Sequence, residues 1–430
     1  MRTEALWDVI VIGGGPAGLM AAIAAQSIGA RTLLIEKGHK LGRKLAISGG
    51  GRCNVTNAKP LEELMKNIPG NGRFLHSAFS QFSNQDIANF FEQLGIALKE
   101  EDHGRVFPVS DKAATVVQTL VNQLDRSIVT VWLDTAVRDL IRDENGIRGL
   151  VTTTGQTILA PSIVVATGGC SVPQTGSTGD AYPWARELGH TIVPPYPTEV
   201  PLTSNAPFIV HRTLQGLSFR EVTVQIFDAQ GKRLTQESGD LLFAHFGLTG
   251  PVALRCSHYV STVHRTRPQE VLTAVIDFLP QQSIPQLMKA WETARQTSAR
   301  KQVATILQQW VPERLADFIL QRSAERPIID MAHLSKETEQ AIVHMLKNFS
   351  VPITGTLPLE KATVTGGGVS IKEIVPQTMA SKRCPGLFFA GEVLDVHAHT
   401  GGYNISVAFS TGHAAGIAAA RFAHSLPHLL

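Results

Sequence analysis

Residues 7–36 read WDVIVIGGGPAGLMAAIAAQSIGARTLLIE, and their order decides the fold. Residues 7–12 are apolar and mostly β-branched, the signature of a buried strand. Gly13, Gly14, Gly15, Pro16, Ala17 and Gly18 follow at once, then an alanine-rich helical stretch over 19–28. Residues 31–35 read as a second strand, ended by the acid Glu36. This is G-x-G-x-x-G in the setting it requires: strand, tight turn, helix, strand, acid. Gly13 permits the turn, Gly15 lets a diphosphate approach bare backbone, and Gly18 lets helix and strand pack closely. The helix start offers free N–H groups and a partial positive charge to the diphosphate. Glu36 is suited to accept both ribose hydroxyls of an adenosine, and its charge repels a 2′-phosphate. The stretch predicts a dinucleotide site that disfavours NADP.

NAD and FAD share that fingerprint, so the choice rests on other residues. Residues 40–57, KLGRKLAISGGGRCNVTN, carry Arg43, Lys44 and Arg52 around Gly49, Gly50 and Gly51. Successive glycines expose consecutive N–H groups to an anion or to the edge of a flat ring. Residues 162–167, SIVVAT, read as another buried strand and lead into Gly168 and Gly169. Near the end, residues 386–392 read GLFFAGE, a strand finishing in Gly391 and the acid Glu392, which suits ribityl hydroxyls. Gly401, Gly402, Tyr403 and Asn404 then open an apolar helix to about Arg421, whose start would face the pyrimidine edge of a flavin. In this order the features favour FAD over NAD alone.

The middle of the chain differs in character. Pro194, Pro195, Pro197 and Pro201 suggest a domain crossing. Residues 222–227 and 271–278 are strand-like, LLFAHFGLTGP stands at 241–251, and residues 283–349 turn mostly helical. Ile342, Met345, Leu346 and Phe349 keep the spacing of one helix face. The expected plan is an α/β protein: a Rossmann-like FAD-binding domain, split over residues 1–191 and 363–430, with an inserted β-barrel-like plus helical domain at 192–362. Within the insert, 192–280 and about 350–362 read as β-rich and 281–349 as helical. No internal repeat or low-complexity stretch is present.

Composition bounds the function classes. The 430 residues carry 39 basic and 36 acidic side chains, a net charge of +3, too weak to imply nucleic acid by itself. Cys53, Cys170, Cys256 and Cys384 form no CxxC pair, so neither a zinc ribbon nor a redox dithiol is expected. Reduced thiols and the lack of a long apolar run suggest a cytoplasmic protein without a membrane span. The apolar start is not read as a signal peptide, because residues 13–16 break it.

The motifs VIGGGPAGLMAAI, KLGRKLAISGGGRCNVTN, EEDHGRVFPVSDKA, TGSTGDAY, LLFAHFGLTGP, VTGGGVSIKEI and GEVLDVHAHTGGYNISVAFSTG span nearly the whole chain. In these the sequence resembles the BaiN-like, YhiN/YtfP-type FAD flavoproteins, and most of all the YtfP-type branch. The resemblance implies FAD contacts from Glu36, Lys37, Arg43, Ser48, Gly49 and Asn54, and from Glu392, Asn404 and Ile405. Gly13, Gly15, Pro16, Ala17, Gly18, Gly50, Arg52, Val137, Thr167, Gly168, Gly391 and Gly402 complete the expected cofactor set. Many relatives have glycine where Ala398 stands between His397 and His399, so substrate details at that edge are not carried over.

The resemblance further implies reduction of an activated C=C bond, either of uridine in 23S ribosomal RNA or of an unsaturated steroid ring. Flavin N5 would supply hydride and a positioned acid the proton. Cys53, His245 and Tyr403 are the candidate donors, each weighed against a packing role, with His245 read equally as a hydrogen-bonded core histidine. The polar run Glu100, Glu101, Asp102, His103 and Arg105 either lines the substrate side or is a solvated surface. His397 and His399 lack an accompanying acid cluster, so no metal is expected. The glycines at 366–368 precede no helix that would receive a phosphate, so NAD(P)H is expected as a transient visitor rather than in a second dinucleotide site. Bases at 265, 267, 300 and 301 are candidate phosphate contacts on an RNA. A small-molecule enone or amine substrate, and a non-catalytic flavin sensor, are the alternative readings. Oligomeric state is left open.

Overall fold

The computed structural model describes residues 7–323 and 330–426. They divide into two compact units, Met1–Tyr196 with Leu359–Leu430, and Pro197–Pro358. The first unit is built on a five-stranded parallel sheet ordered Leu387–Phe389, Ser162–Val165, Val9–Ile12, Thr32–Ile35 and Thr130–Trp132. All but the last of these strands are buried at every residue, as strands dominated by Val, Ile, Leu and Phe are when both sheet faces are covered. The strand nearest the C-terminus thus sits beside one from the middle of the chain, and the first strand lies at the centre.

The first helix, Pro16–Ser27, begins three residues earlier than the alanine pattern suggests. Pro16 is pre-set for the opening turn and its missing N–H is one that no helix satisfies internally. The last helix, Tyr403–Ser425, runs beyond Arg421 and packs along the first. Gly412 and Gly416 make this possible, because a Cβ at either would collide with the carbonyl oxygen of Ala17 or Ala21 respectively. Smaller antiparallel sheets flank the core: Thr56–Asn57 with Arg105–Pro108 and Leu98–Glu101, and Val137–Asp143 with Gly146–Thr152 and Thr157–Leu159.

The second unit is a seven-stranded antiparallel sheet ordered Phe349–Ile353, Leu272–Asp277, Ser218–Phe227, Arg233–Ala244, Gly247–Thr249, Leu202–Thr203 and Gly355–Thr356. Its two edge strands are separated by Thr354 alone, which draws the edges together in barrel fashion. Helices Pro251–His264, Ile284–Thr297, Glu313–Ser323 and Lys336–Lys347 complete the unit. One helical expectation is corrected here. Phe349 opens a strand rather than extending the helix face of Ile342 and Leu346, because Asn348 leaves helical geometry at φ −138°, ψ 49°. Its ring instead packs edge-on against Phe208, Phe243 and Phe278.

Gly412→Ala and Gly416→Ala would each force the two helices apart. Each is expected to cost about 1–3 kcal/mol and to lower the melting temperature of the purified protein in differential scanning calorimetry.

Candidate functional site

The glycines of the first turn divide into two kinds. A Cβ on Gly18 would strike the Gly13 carbonyl, and one on Gly13, at φ +106°, would lie 2.5 Å from the Ala166 carbonyl oxygen. Those two serve the fold. Gly15 has ordinary extended geometry and no atom within 4 Å of a Cβ placed on it, so nothing inside the protein requires its lack of a side chain. It fronts a helix with no side-chain cap and no acid in its first turn, which leaves the opening N–H groups to an outside acceptor. Near Gly13 the Thr167 hydroxyl is enclosed and unpaired.

Glu36 is held in place by two backbone donors, Gly14 N–H and Gly38 N–H, each at 2.7 Å. One bond falls on each carboxylate oxygen, so each retains lone-pair capacity for a hydroxyl. The main chain of Glu36 also accepts from Thr135, two residues before Val137, which opens the neighbouring hairpin sheet. Lys37 and Arg43 reach across to the segment after the middle strand: Lys37 to Thr178 and Asp180, Arg43 to the Gln174 carbonyl. These two bases therefore join residues 174–180 to the segment that follows Glu36.

The GGGRCN segment is a tight turn with positive φ at four positions: Gly49 (+55°), Gly50 (+67°), Gly51 (+87°) and Cys53 (+59°). Gly50 and Gly51 face open space. Arg52 does not point at a free anion. Its guanidinium pairs with Glu101 and Asp111 and lies 4.2 Å from the ring centre of Phe107, which pins the turn to the small sheet beneath. Lys99 pairs with the same two acids. The polar run at 100–105 is thereby partly an ion network that holds this turn. Ser48 donates to the Leu45 carbonyl at 2.7 Å. Cys53 is fully buried, and burial pushes its thiol up to about 12 although Ser48 works the other way.

The C-terminal features meet these from the opposite end of the chain. Gly401 and Gly402, at φ +126° and +94°, precede the last helix, and a Cβ on Gly402 would lie 2.9 Å from Asn54 Oδ1. Asn57 donates to the Gly401 carbonyl at 3.0 Å, and the Thr56 and Ser406 hydroxyls bond at 2.8 Å. The Asn54 side-chain oxygen is enclosed and unpaired. Asn404 clamps the loop before the helix: it accepts from Ala398 N–H at 2.8 Å and donates to the Ala398 and His399 carbonyls. Ile405 is partly buried against the core.

Gly391, at φ +74°, approaches Ala17 closely and donates to Thr411 Oγ1. Glu392 is gripped by Lys44 at 2.7 Å, Thr365 N–H at 2.8 Å and Ser171 Oγ at 3.0 Å. Burial works to raise its pKa, but Lys44 and the donated bonds outweigh it and hold the carboxyl below its usual range. Gly168 adopts φ +75° beside Ser177.

The remaining candidates separate. Tyr403 is buried at the helix start. His245 is exposed at the two-residue tip of the hairpin formed by Arg233–Ala244 and Gly247–Thr249 in the second unit, so the core-histidine reading is overturned. His397 and His399 are buried, and no group of three metal-binding side chains occurs among the described residues. The 366–368 triplet lies inside the buried strand Val364–Val369, where Gly366 makes room for the Tyr196 ring. Arg267 is paired with Glu270, while Arg300 and Lys301 are exposed. Sequence reasoning missed Ser171, Thr365 and Thr411 as supports, and the Gly412–Gly416 seam. Only the seam had a signal, small residues four apart facing Ala17 and Ala21.

The open backbone at Gly15, the uncapped helix start and the enclosed, unpaired oxygens of Asn54 and Thr167 fit a dinucleotide whose distal ring reaches the two glycine turns. Residues 7–418 match the family model described as HI0933-like protein Rossmann domain. The chain belongs to the HI0933-like family. It is a flavoprotein oxidoreductase with a Rossmann FAD-binding domain. Over 414 residues it is 32% identical to a ribosomal RNA dihydrouridine synthase of Escherichia coli (strain K12), spanning 95% of this chain and 96% of that protein. It is 30% identical over 417 residues to a 3-dehydro-bile acid delta(4,6)-reductase of Clostridium scindens, spanning 95% and 98%. Among solved structures it is similar to an E. coli quinol fumarate reductase subunit (TM-score 0.52, 18% identity, 98% of this chain and 71% of that one). A 3-ketosteroid delta1-dehydrogenase from Sterolibacterium denitrificans gives TM-score 0.51 at 14% identity, covering 98% and 100%. At such identities these two speak to fold alone. No helix among the described residues of this HI0933-like protein is long and apolar enough to cross a membrane.

The two kinds of glycine can be told apart by experiment. Gly15→Val is expected to leave the melting temperature of the cofactor-stripped protein unchanged while weakening FAD retention at least about tenfold, one decade being only 1.4 kcal/mol. Gly13→Ala is expected to lower that melting temperature itself, measured by circular dichroism.

Proposed function

We propose that this HI0933-like protein is an FAD-dependent ene-reductase that converts a uridine of ribosomal RNA to dihydrouridine. The observation that carries the reading is the meeting of two glycine turns, 48–54 and 401–402, at the start of a 23-residue helix. A helix start stabilises negative charge gathering on a ring placed before it. The names of the two relatives described above share one chemistry: each describes saturation of a C=C bond conjugated with a carbonyl.

In this reading the first helix and Gly15 hold the diphosphate and Glu36 the adenosine ribose. Glu392, kept ionised by Lys44, accepts from the ribityl hydroxyls, and Asn404 fixes the loop before the last helix. FAD, once bound, would supply the hydride that the β-carbon of the substrate takes up. The α-carbon needs a proton from a side chain that can exchange with a molecule arriving from solvent. Cys53 carries its proton throughout the physiological range but is enclosed, and Tyr403 is buried. His245, the remaining candidate, is exposed in the second unit. NAD(P)H is the reductant, visiting the flavin without a second dinucleotide fold. A ribosomal substrate implies a cytoplasmic location.

The second reading, a small enone substrate, is favoured by the bile acid reductase relative. Anaerobic stopped-flow reoxidation of the NADPH-reduced enzyme, with and without unmodified 23S rRNA fragments, decides between them. RNA-dependent reoxidation with new dihydrouridine detected by mass spectrometry is expected. Reoxidation by free enones alone, without any RNA effect, would overturn the RNA reading.

A further inference from the structure

The first unit carries an open groove of about 630 Å³ where the helix Leu61–Lys66 turns toward the helix His76–Gln81. Its floor is apolar and includes Met65, Phe74 and Ile371. Lys66, Arg73 and His76 stand exposed around it, against one acid, Glu62. Among the described residues, neither Lys66 nor Arg73 has a carboxylate within ion-pair reach. Two unpaired cations beside a partly exposed aromatic ring match the needs of a single nucleic-acid strand, whose phosphates want charge and whose unstacked bases want a flat apolar face.

The groove is also mechanically joined to the candidate flavin edge. Gly70 exchanges backbone bonds with His397, its N–H to the His397 carbonyl at 3.1 Å and its carbonyl from the His397 N–H at 3.4 Å. His399 N–H bonds to the Asn67 carbonyl at 2.9 Å, and Asn71 Nδ2 to the Asp395 carbonyl at 2.7 Å. A Cβ on Gly70 would collide with the His397 ring. The backbone that shapes the groove is thus the layer beneath residues 395–399, which Asn404 ties to the start of the last helix. A strand seated here lies on the same rigid layer as the turn that opens that helix.

We infer that this groove holds the single-stranded ribosomal RNA flanking the target uridine, Lys66 and Arg73 contacting phosphates and Phe74 a base. The inference rests on the RNA reading above and adds where the chain grips its substrate. The test uses the full-length, FAD-loaded protein and a fluorescently labelled, unmodified 23S rRNA fragment, with anisotropy titrations across a range of salt. The double variant Lys66→Gln/Arg73→Gln removes two phosphate contacts. The slope of log affinity against log salt should become shallower by about 1.4, and affinity at about 0.1 M salt should fall roughly 25-fold. The flavin absorbance spectrum, the check on folding, should match that of the parent. Phe74→Leu keeps an apolar side chain against the core and should weaken binding without changing the slope.

If the parent makes dihydrouridine while the double variant binds with unchanged affinity and slope, the groove is refuted and the RNA reading stands. If the parent neither binds the fragment nor makes dihydrouridine yet turns over a free enone, both fail together.

Discussion

The last helix lies on the first because Gly412 and Gly416 carry no side chain where it crosses Ala17 and Ala21. Gly412 and Gly416 present bare backbone to the carbonyls of Ala17 and Ala21, and Gly391 does the same toward the Ala17 methyl. Packing at interior density tolerates no added methyl there. Everything assigned to the site depends on that approach. It sets the start of the helix Tyr403–Ser425 beside the turn at 48–54, although some 350 residues separate them along the chain, as they do Thr56 and Ser406. The site is consequently assembled only when the sheet is complete, since the strand Leu387–Phe389 joins it last in sequence.

Around this seam the polar side chains do two kinds of work. Some are spent within the protein: Arg52 on Glu101 and Asp111, Lys37 on Asp180, and Asn404 on the loop at 398–399. These fix the shape of glycine turns that would otherwise sample many conformations. Others keep capacity in reserve, namely the carboxylates of Glu36 and Glu392 and the unpaired oxygens of Asn54 and Thr167. The distinction matters for mutagenesis. Loss of a residue of the first kind loosens the turn, and loss of one of the second kind removes a contact with the turn intact.

Much of the first unit was legible because its signals are local. The βαβ turn, its closing acid and the run of glycines at 49–51 each follow from residue types at short spacing, and the burial of VIVI, TLLI and SIVV follows from their runs of three or four apolar residues. The errors have equally local causes. Phe349 kept helical spacing, but Asn348 ended the helix one residue before it. For His245 a hydrogen-bonded core place was one of two readings, and a two-residue hairpin tip, which turns it out to solvent, excludes it.

The sequence by itself determined the dinucleotide fold, the flavin class and the residue types that a cofactor would meet, because a few adjacent residues suffice to specify a turn, a cap or a buried strand. Only the tertiary structure decided which of those side chains are already engaged. Lys44 meets Glu392, Lys37 meets Asp180 and Asn71 meets Asp395 across hundreds of residues or nearly so. Such pairings depend on strand order and helix crossing, which arise from packing the whole chain, and no short window of sequence contains them.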